Sequence, residues 1–201
     1  MFRPEPLKKG DRLAVVGGSF STKHSAEELE AAVRSFGLEP VLYPGATGHY
    51  HCFTAPDAQR AADINAAFAD DSVRGIVPIL GGYGAQRILP LLDWETIKAH
   101  PKFFGGYSDV TAILSAINRI CGMEVYHMPM VAGWAEGLDD YTRAHVEAVL
   151  FGEKLSYEDP EGYGRQCLIP VRYKEVLTIL FGPDYMTPPP VEERVAKHLD
   201  V

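Results

Sequence analysis

Over roughly the first 130 residues, short unbroken apolar runs alternate with stretches in which apolar residues return every three or four positions. An unbroken run suits a strand covered on both faces, and the three-to-four spacing suits a helix with one buried stripe. Arg12-Leu13-Ala14-Val15-Val16 is predicted as a first strand, and Ser25 to Phe36 as a first helix. Ser25 is placed to cap that helix with Glu28 three residues on, and Gly37 to stop it. Val41-Leu42-Tyr43 is a short second strand. A second helix runs from Pro56 to Ala69, with Pro56 and Asp57 in its first turn and Ala61, Ile64 and Phe68 on its core face. Gly75 to Leu80 is a third strand, after which Gly81-Gly82-Tyr83-Gly84 turns the chain into a short helix toward Leu91. Lys102-Phe103-Phe104-Gly105 is a fourth strand. The helix after it carries Val110, Ile113, Leu114, Ile117 and Ile120 on one stripe, and Glu124-Val125-Tyr126 is a fifth strand.

Strands alternating with helices predict right-handed crossovers, hence an α/β fold with a mostly parallel sheet flanked by helices. In such sheets ligands bind beyond the carboxyl ends of the strands. Three segments share that address: Gly17 to Ser19, Gly81 to Gly84, and Tyr107 to Asp109. The alternation stops after Gly133. A helix is expected from Asp139 to Leu150, then a Gly-, Pro- and Tyr-rich stretch from Gly152 to Gly164. Residues 166–201 do not continue the pattern, and a small hairpin or a docked tail both suit them. The expected division is a first domain over 1–133, a linker with a helix over 134–165, and a short unassigned C-terminal tail over 166–201.

Composition narrows the function classes. The formal charge of -8 argues against nucleic acid as a partner, because phosphate neutralisation needs clustered Lys and Arg. Three widely spaced cysteines, Cys52, Cys121 and Cys167, do not make a disulfide framework and point to a reducing compartment. The opening Met1-Phe2-Arg3-Pro4-Glu5-Pro6 has no apolar core of a signal peptide, and no stretch has the length of a membrane span. A cytoplasmic setting with no membrane partner is the expectation.

The chemistry concentrates where the fourth strand ends, at Gly105-Gly106-Tyr107-Ser108-Asp109. A side chain on a sharp strand-to-helix turn projects above the sheet, and small neighbours permit close approach, as in a nucleophile elbow. The first amides of the following helix face the same point and can stabilise a developing oxyanion. The α/β-hydrolase motif is excluded, because it needs glycine two residues after the serine and Val110 stands there. On local sequence the segment also fits a plain helix cap by Ser108 or Asp109. Gly81-Gly82-Tyr83-Gly84 has two readings as well, an amide nest for a carboxylate or oxyanion and a tight turn. Neither it nor Gly17-Gly18-Ser19 completes a dinucleotide fingerprint, so no nucleotide cofactor is expected. His49-x-His51-Cys52 lacks a second ligand pair, so no metal is expected. His127 follows a strand and suits either the crevice or a satisfied strand end.

Leu7-Lys8-Lys9-Gly10-Asp11-Arg12-Leu13-Ala14-Val15-Val16, the stretch Arg60 to Asp70, Gly81-Gly82-Tyr83-Gly84-Ala85-Gln86-Arg87-Ile88-Leu89-Pro90-Leu91-Leu92-Asp93 and Pro101-Lys102-Phe103-Phe104-Gly105-Gly106-Tyr107-Ser108-Asp109-Val110-Thr111-Ala112 follow one another along the chain. Together they resemble the LD-carboxypeptidase family of serine peptidases, which includes the microcin-immunity peptidases. His127-Met128-Pro129-Met130 is similar to that family's His-Gly-Pro-Met segment, with Met128 in place of glycine. The resemblance implies a Rossmann- or flavodoxin-like N-terminal domain with Ser108 as nucleophile. It implies an oxyanion hole from Gly82 and Asp109, with Gly81 and Tyr83 in contact with substrate. The implied reaction removes a terminal D-amino acid from an L,D-peptide bond, as in recycling of murein tetrapeptides. No cofactor is implied, the partner is a small peptide, and the assembly is a homodimer.

The chain departs from that pattern at Leu80, where many members carry arginine, and after the linker. The family takes its catalytic Glu and His from a second domain opening with Gly-Gly-Asn-Leu, whereas here the sequence reads Arg165-Gln166-Cys167-Leu168-Ile169-Pro170-Val171. Glu175, Glu192, Glu193 and His198 sit in no matching motif, so no general base is assigned. The tail is therefore expected to be a divergent or truncated end, and the peptidase expectation extends to a chain that is inactive by itself for want of its base. The competing expectation is a non-catalytic module that binds a small peptide or carboxylate on the same fold.

Overall fold

The computed structural model describes residues 2–153 and a two-residue strand at 171–172. Five parallel strands form the sheet in the order β2-β1-β3-β4-β5: β1 is Arg12–Val16, β2 Glu39–Leu42, β3 Val73–Pro78, β4 Phe103–Gly106 and β5 Tyr126–His127. β6, Val171–Arg172, adds to the β5 edge in the antiparallel sense, with Tyr126 opposite Arg172. The rest of the expected tail lies outside the described residues. β1 pairs with β2 on one side and β3 on the other, so the order reverses between β1 and β3. That reversal opens a crevice above the carboxyl ends of the two strands.

The unbroken apolar runs are buried as double coverage requires: Leu13, Ala14, Val15 and Val16 are all fully enclosed. The helices are α1 (Ala26–Arg34), α2 (Asp57–Ala69), α3 (Ala85–Ile88), α4 (Trp94–Ala99), α5 (Thr111–Ala116), α6 (Val131–Glu136) and α7 (Asp140–Phe151). α1 packs with α6 and β2, while α2 packs with α3 and α4. Ser25 and Glu28 form the expected capping box on α1. Asp139 caps α7, whose Val146, Val149 and Leu150 join the same core as the strands. That helix lies where one was expected, within the 134–165 linker, and it is tied to the N-terminal arm by Leu7 N–H donating to Leu150 O at 2.9 Å.

Local details differ from the sequence expectation for identifiable reasons. The helix after Ser108 widens into a π turn at Ile117–Cys121. A π turn adds one residue per turn and shifts the buried stripe. Ile120 is accordingly 49% exposed, and Asn118 takes the inner position and donates to Met123 O. β5 begins at Tyr126, two residues late, because Glu124 N–H bonds to Phe2 O of the N-terminal arm. Among the described residues no helix is long and apolar enough to cross a membrane.

Candidate active site

Three loops meet above the β1–β3 reversal, and each owes its shape to residues that tolerate close approach. β4 ends at Gly106, Tyr107 stays extended at φ -157°, and Ser108 then adopts φ +57° before a short 3-10 turn leads into α5. An L-residue in the left-handed region costs about 1–2 kcal/mol, so the turn holds Ser108 against its preference. The side chain is left exposed at the top of the sheet. Neither Ser108 nor Asp109 caps the helix that follows, since no side-chain cap bond forms at either start. No hydrogen bond joins Ser108 Oγ to another described residue.

Gly81 lies directly against the serine. A Cβ built on Gly81 would sit 2.9 Å from Ser108 Cβ and 3.0 Å from its Oγ. Gly81→Ala is therefore expected to push the serine aside, lowering stability by about 1–3 kcal/mol as overpacking does. The same change should slow modification of Ser108 by a serine-directed phosphonate at least ~10-fold, because sub-ångström placement governs reactivity. Unchanged labelling would show that the contact relaxes without consequence. Gly82 has φ +128°, and the Phe20 ring lies where its Cβ would point. Phe20 N–H also donates to Gly81 O at 3.2 Å, so the loop after β1 holds the turn after β3 by backbone and ring together. Tyr83 is 73% exposed, with its ring centroid 5.9 Å from that of Phe20.

Asp109 points away from its own helix. Its Oδ2 accepts from Ser19 Oγ and from Ala85 N–H, the latter at 2.8 Å. The carboxylate thus ties the loop after β1 and the start of α3 to the segment that carries Ser108. Its backbone neighbours the serine, and its side chain holds the other two loops.

Beneath these loops lies a fully buried arginine. Arg60, on α2, donates to Gly18 O at 2.7 Å and to Gly84 O at 3.3 and 3.4 Å, and pairs with Asp57. Asp57 also pairs with Arg87 at 2.8 Å. Partial burial pushes the Asp57 carboxyl upward, but hydrogen bonds from Arg60 and Arg87 outweigh it and hold the group below its usual range. Both guanidinium groups stack over the Phe53 ring, at 4.9 Å for Arg60 and 5.3 Å for Arg87. The sequence expectation put Ser19 at the crevice without a role and passed over Arg60, Asp57 and Phe20 as site residues. One signal existed for the pair: Arg60 falls in the core phase of an alanine-rich helix, with an acidic residue three positions earlier.

His127 ends β5 with its ring 6.1 Å from that of Tyr107, and burial lowers its pKa from the ordinary value. Met128 fills the space over Gly105, where an added Cβ would meet its sulfur at 2.5 Å. Cys52 is exposed, and the described residues include no group of three or more His, Cys, Asp or Glu arranged to hold a metal ion.

The chain is similar to known proteins in both sequence and fold. Residues 13–128 match the LD-carboxypeptidase N-terminal domain. A putative carboxypeptidase of Streptomyces coelicolor is 37% identical over 158 residues, covering 75% of this chain and 50% of that protein. A probable murein peptide carboxypeptidase of Bacillus subtilis is 32% identical over 164 residues, covering 79% of this chain and 50% of that protein. The crystal structure of an MccF-like protein from Bacillus anthracis superposes with a TM-score of 0.69 at 32% identity, covering 75% of this chain and 47% of that one. The chain spans about half the length of the curated relatives it matches.

Proposed function

This chain belongs to the LD-carboxypeptidase family, and on that premise we propose that it acts as a serine-type peptidase whose nucleophile is Ser108. The substrate would be a small murein-type peptide ending in a D-amino acid, a class that the name of the Bacillus subtilis relative supports. The observation that carries the reading is the left-handed turn at Ser108, which leaves an exposed hydroxyl against the Gly81-Gly82 turn.

In this reading Ser108 Oγ attacks the carbonyl carbon of the L,D-peptide bond and gives its proton to a general base. A serine hydroxyl is a poor nucleophile without such a base, and the family resemblance draws Glu and His for that task from a second domain. The carbonyl oxygen becomes an oxyanion, held by the backbone N–H groups of Gly82 and Asp109. Collapse breaks the C–N bond, the departing amine takes up the proton, and the D-amino acid leaves. Water then hydrolyses the acyl-serine ester and restores the hydroxyl. Gly81 and Tyr83 would flank the bound peptide. A homodimer in the cytoplasm completes the reading.

The test is incubation with a murein tetrapeptide ending in D-alanine, with separate exposure to a fluorophosphonate probe. Release of D-alanine, none from the all-L counterpart, and a probe adduct mapped to Ser108 by mass spectrometry are the expected results. Absence of both product and adduct would reject the peptidase reading. Saturable peptide binding without product would favour a binding module on the same fold.

A further inference from the structure

We propose that the Asp109 carboxylate is a positioning group that sets the distance between the two halves of the oxyanion hole. The inference rests on the proposed nucleophile role of Ser108. One oxyanion donor would be the backbone N–H of Asp109 itself, and the other belongs to Gly82, on a segment 27 residues earlier in the chain. A hole made from two loops works only if the loops keep register, because a misplacement of about 1 Å can cost on the order of 100-fold in rate.

The Gly81–Gly84 turn does not hold itself. Three of its four residues are glycine, and Gly82 and Gly84 adopt φ +128° and +98°. Glycine gains the most freedom on release, so such a turn relies on outside ties. Phe20 N–H holds Gly81 O, and Arg60 holds Gly84 O. Both of those ties run to elements other than the nucleophile segment. The bond from Ala85 N–H to Asp109 Oδ2, 2.8 Å long, runs to the nucleophile segment itself. The Ser19 hydroxyl donates to the same oxygen and fixes the carboxylate's rotamer from the third loop. A single residue therefore contributes one donor by its backbone and grips the segment bearing the other by its side chain.

Isosteric substitution separates this role from bulk stability. Asp109→Asn keeps one carbonyl oxygen for Ala85 N–H, whereas Asp109→Ala removes the tie altogether. Ser19→Ala frees the carboxylate to rotate but leaves the acceptor in place. The experiment measures the saturating rate and half-saturating concentration for fluorophosphonate labelling of Ser108 in the full chain, with hydrogen exchange of residues 81–88 beside it. Asp109→Ala should lower the saturating rate about 100-fold and leave the half-saturating concentration within about 3-fold, since the probe's oxygen enters the hole only as the bond forms. Asp109→Asn and Ser19→Ala should each stay within about 10-fold of wild type, and exchange over 81–88 should rise in the order of the rate losses. Should Asp109→Ala fail to fold, the ordering of Asp109→Asn and Ser19→Ala against wild type, read by rate and exchange together, decides the matter. Labelling of Asp109→Ala at the wild-type rate overturns the inference and leaves the nucleophile reading intact, as does a rate loss with unchanged exchange over 81–88. A wild-type chain that takes no label overturns the nucleophile reading, and this inference with it.

Discussion

Ser108→Ala is expected to take no fluorophosphonate and to release D-alanine at least ~10⁴-fold more slowly than wild type, while unfolding at nearly the same denaturant concentration. The two halves of that expectation have separate causes. The loss follows from removing the hydroxyl proposed to form the acyl bond. The unchanged stability follows because serine and alanine pay the same backbone penalty at φ +57°, and because Oγ makes no hydrogen bond to another described residue. Ser108→Gly sharpens the point. Glycine adopts the left-handed region freely, which relieves about 1–2 kcal/mol of strain and loses part of it to the greater freedom of the unfolded chain. A net gain of about 0.5–1 kcal/mol is the expected result, in a protein that no longer reacts. Denaturant midpoints of the three proteins check it. A Ser108→Gly variant less stable than Ser108→Ala would mean that the turn is not strained, and the geometric support for a nucleophile elbow would fall with it.

Legibility in the sequence followed the range of the interactions involved. The α1 cap could be read because Ser25 and Glu28 are three residues apart and need nothing else. The parallel sheet could be read as a class, since alternating elements permit few topologies. Ile120 was misplaced because a π turn leaves no mark in apolar spacing until the phase has already slipped. The site divides in the same way. Ser108, Gly81 and Gly82 stood out as small residues at strand ends, and family resemblance tied them together. The side chain of Asp109 did not, because its partners Ser19 and Ala85 lie 90 and 24 residues away and only the folded sheet brings them together. A cap reading was natural for Asp109, and the structure gives it a cap-like bond, but to the start of α3 instead of its own helix.

The same long-range logic makes Asp57, rather than the buried arginine it serves, the more damaging residue to remove. Arg60 is fully buried, whereas the Asp57 side chain is 26% exposed and retains Arg87 if Arg60 is lost. Arg60→Met would leave Gly18 O short of a donor, at about 1–3 kcal/mol for an unsatisfied buried group, while Gly84 O keeps Arg87 N–H at 3.2 Å; the change also removes the cost of burying a guanidinium. The net loss expected is about 2–3 kcal/mol. Asp57→Ala leaves that guanidinium enclosed with two carbonyl acceptors and the Phe53 ring, and without its counter-ion. Stripping one partner from a buried pair typically costs about 3–5 kcal/mol. The double variant Asp57→Ala/Arg60→Met should therefore be more stable than Asp57→Ala alone, by about 1 kcal/mol or more, even though it carries the additional change. Arg60→Lys should not substitute for the native residue, because a single ammonium cannot span Gly18 O, Gly84 O and Asp57 as the planar fork does. Equilibrium unfolding of the four variants tests this ordering. Additive losses in the double variant would show that Arg60 is solvated without Asp57, and that the loops of the site hang on the carbonyl bonds alone.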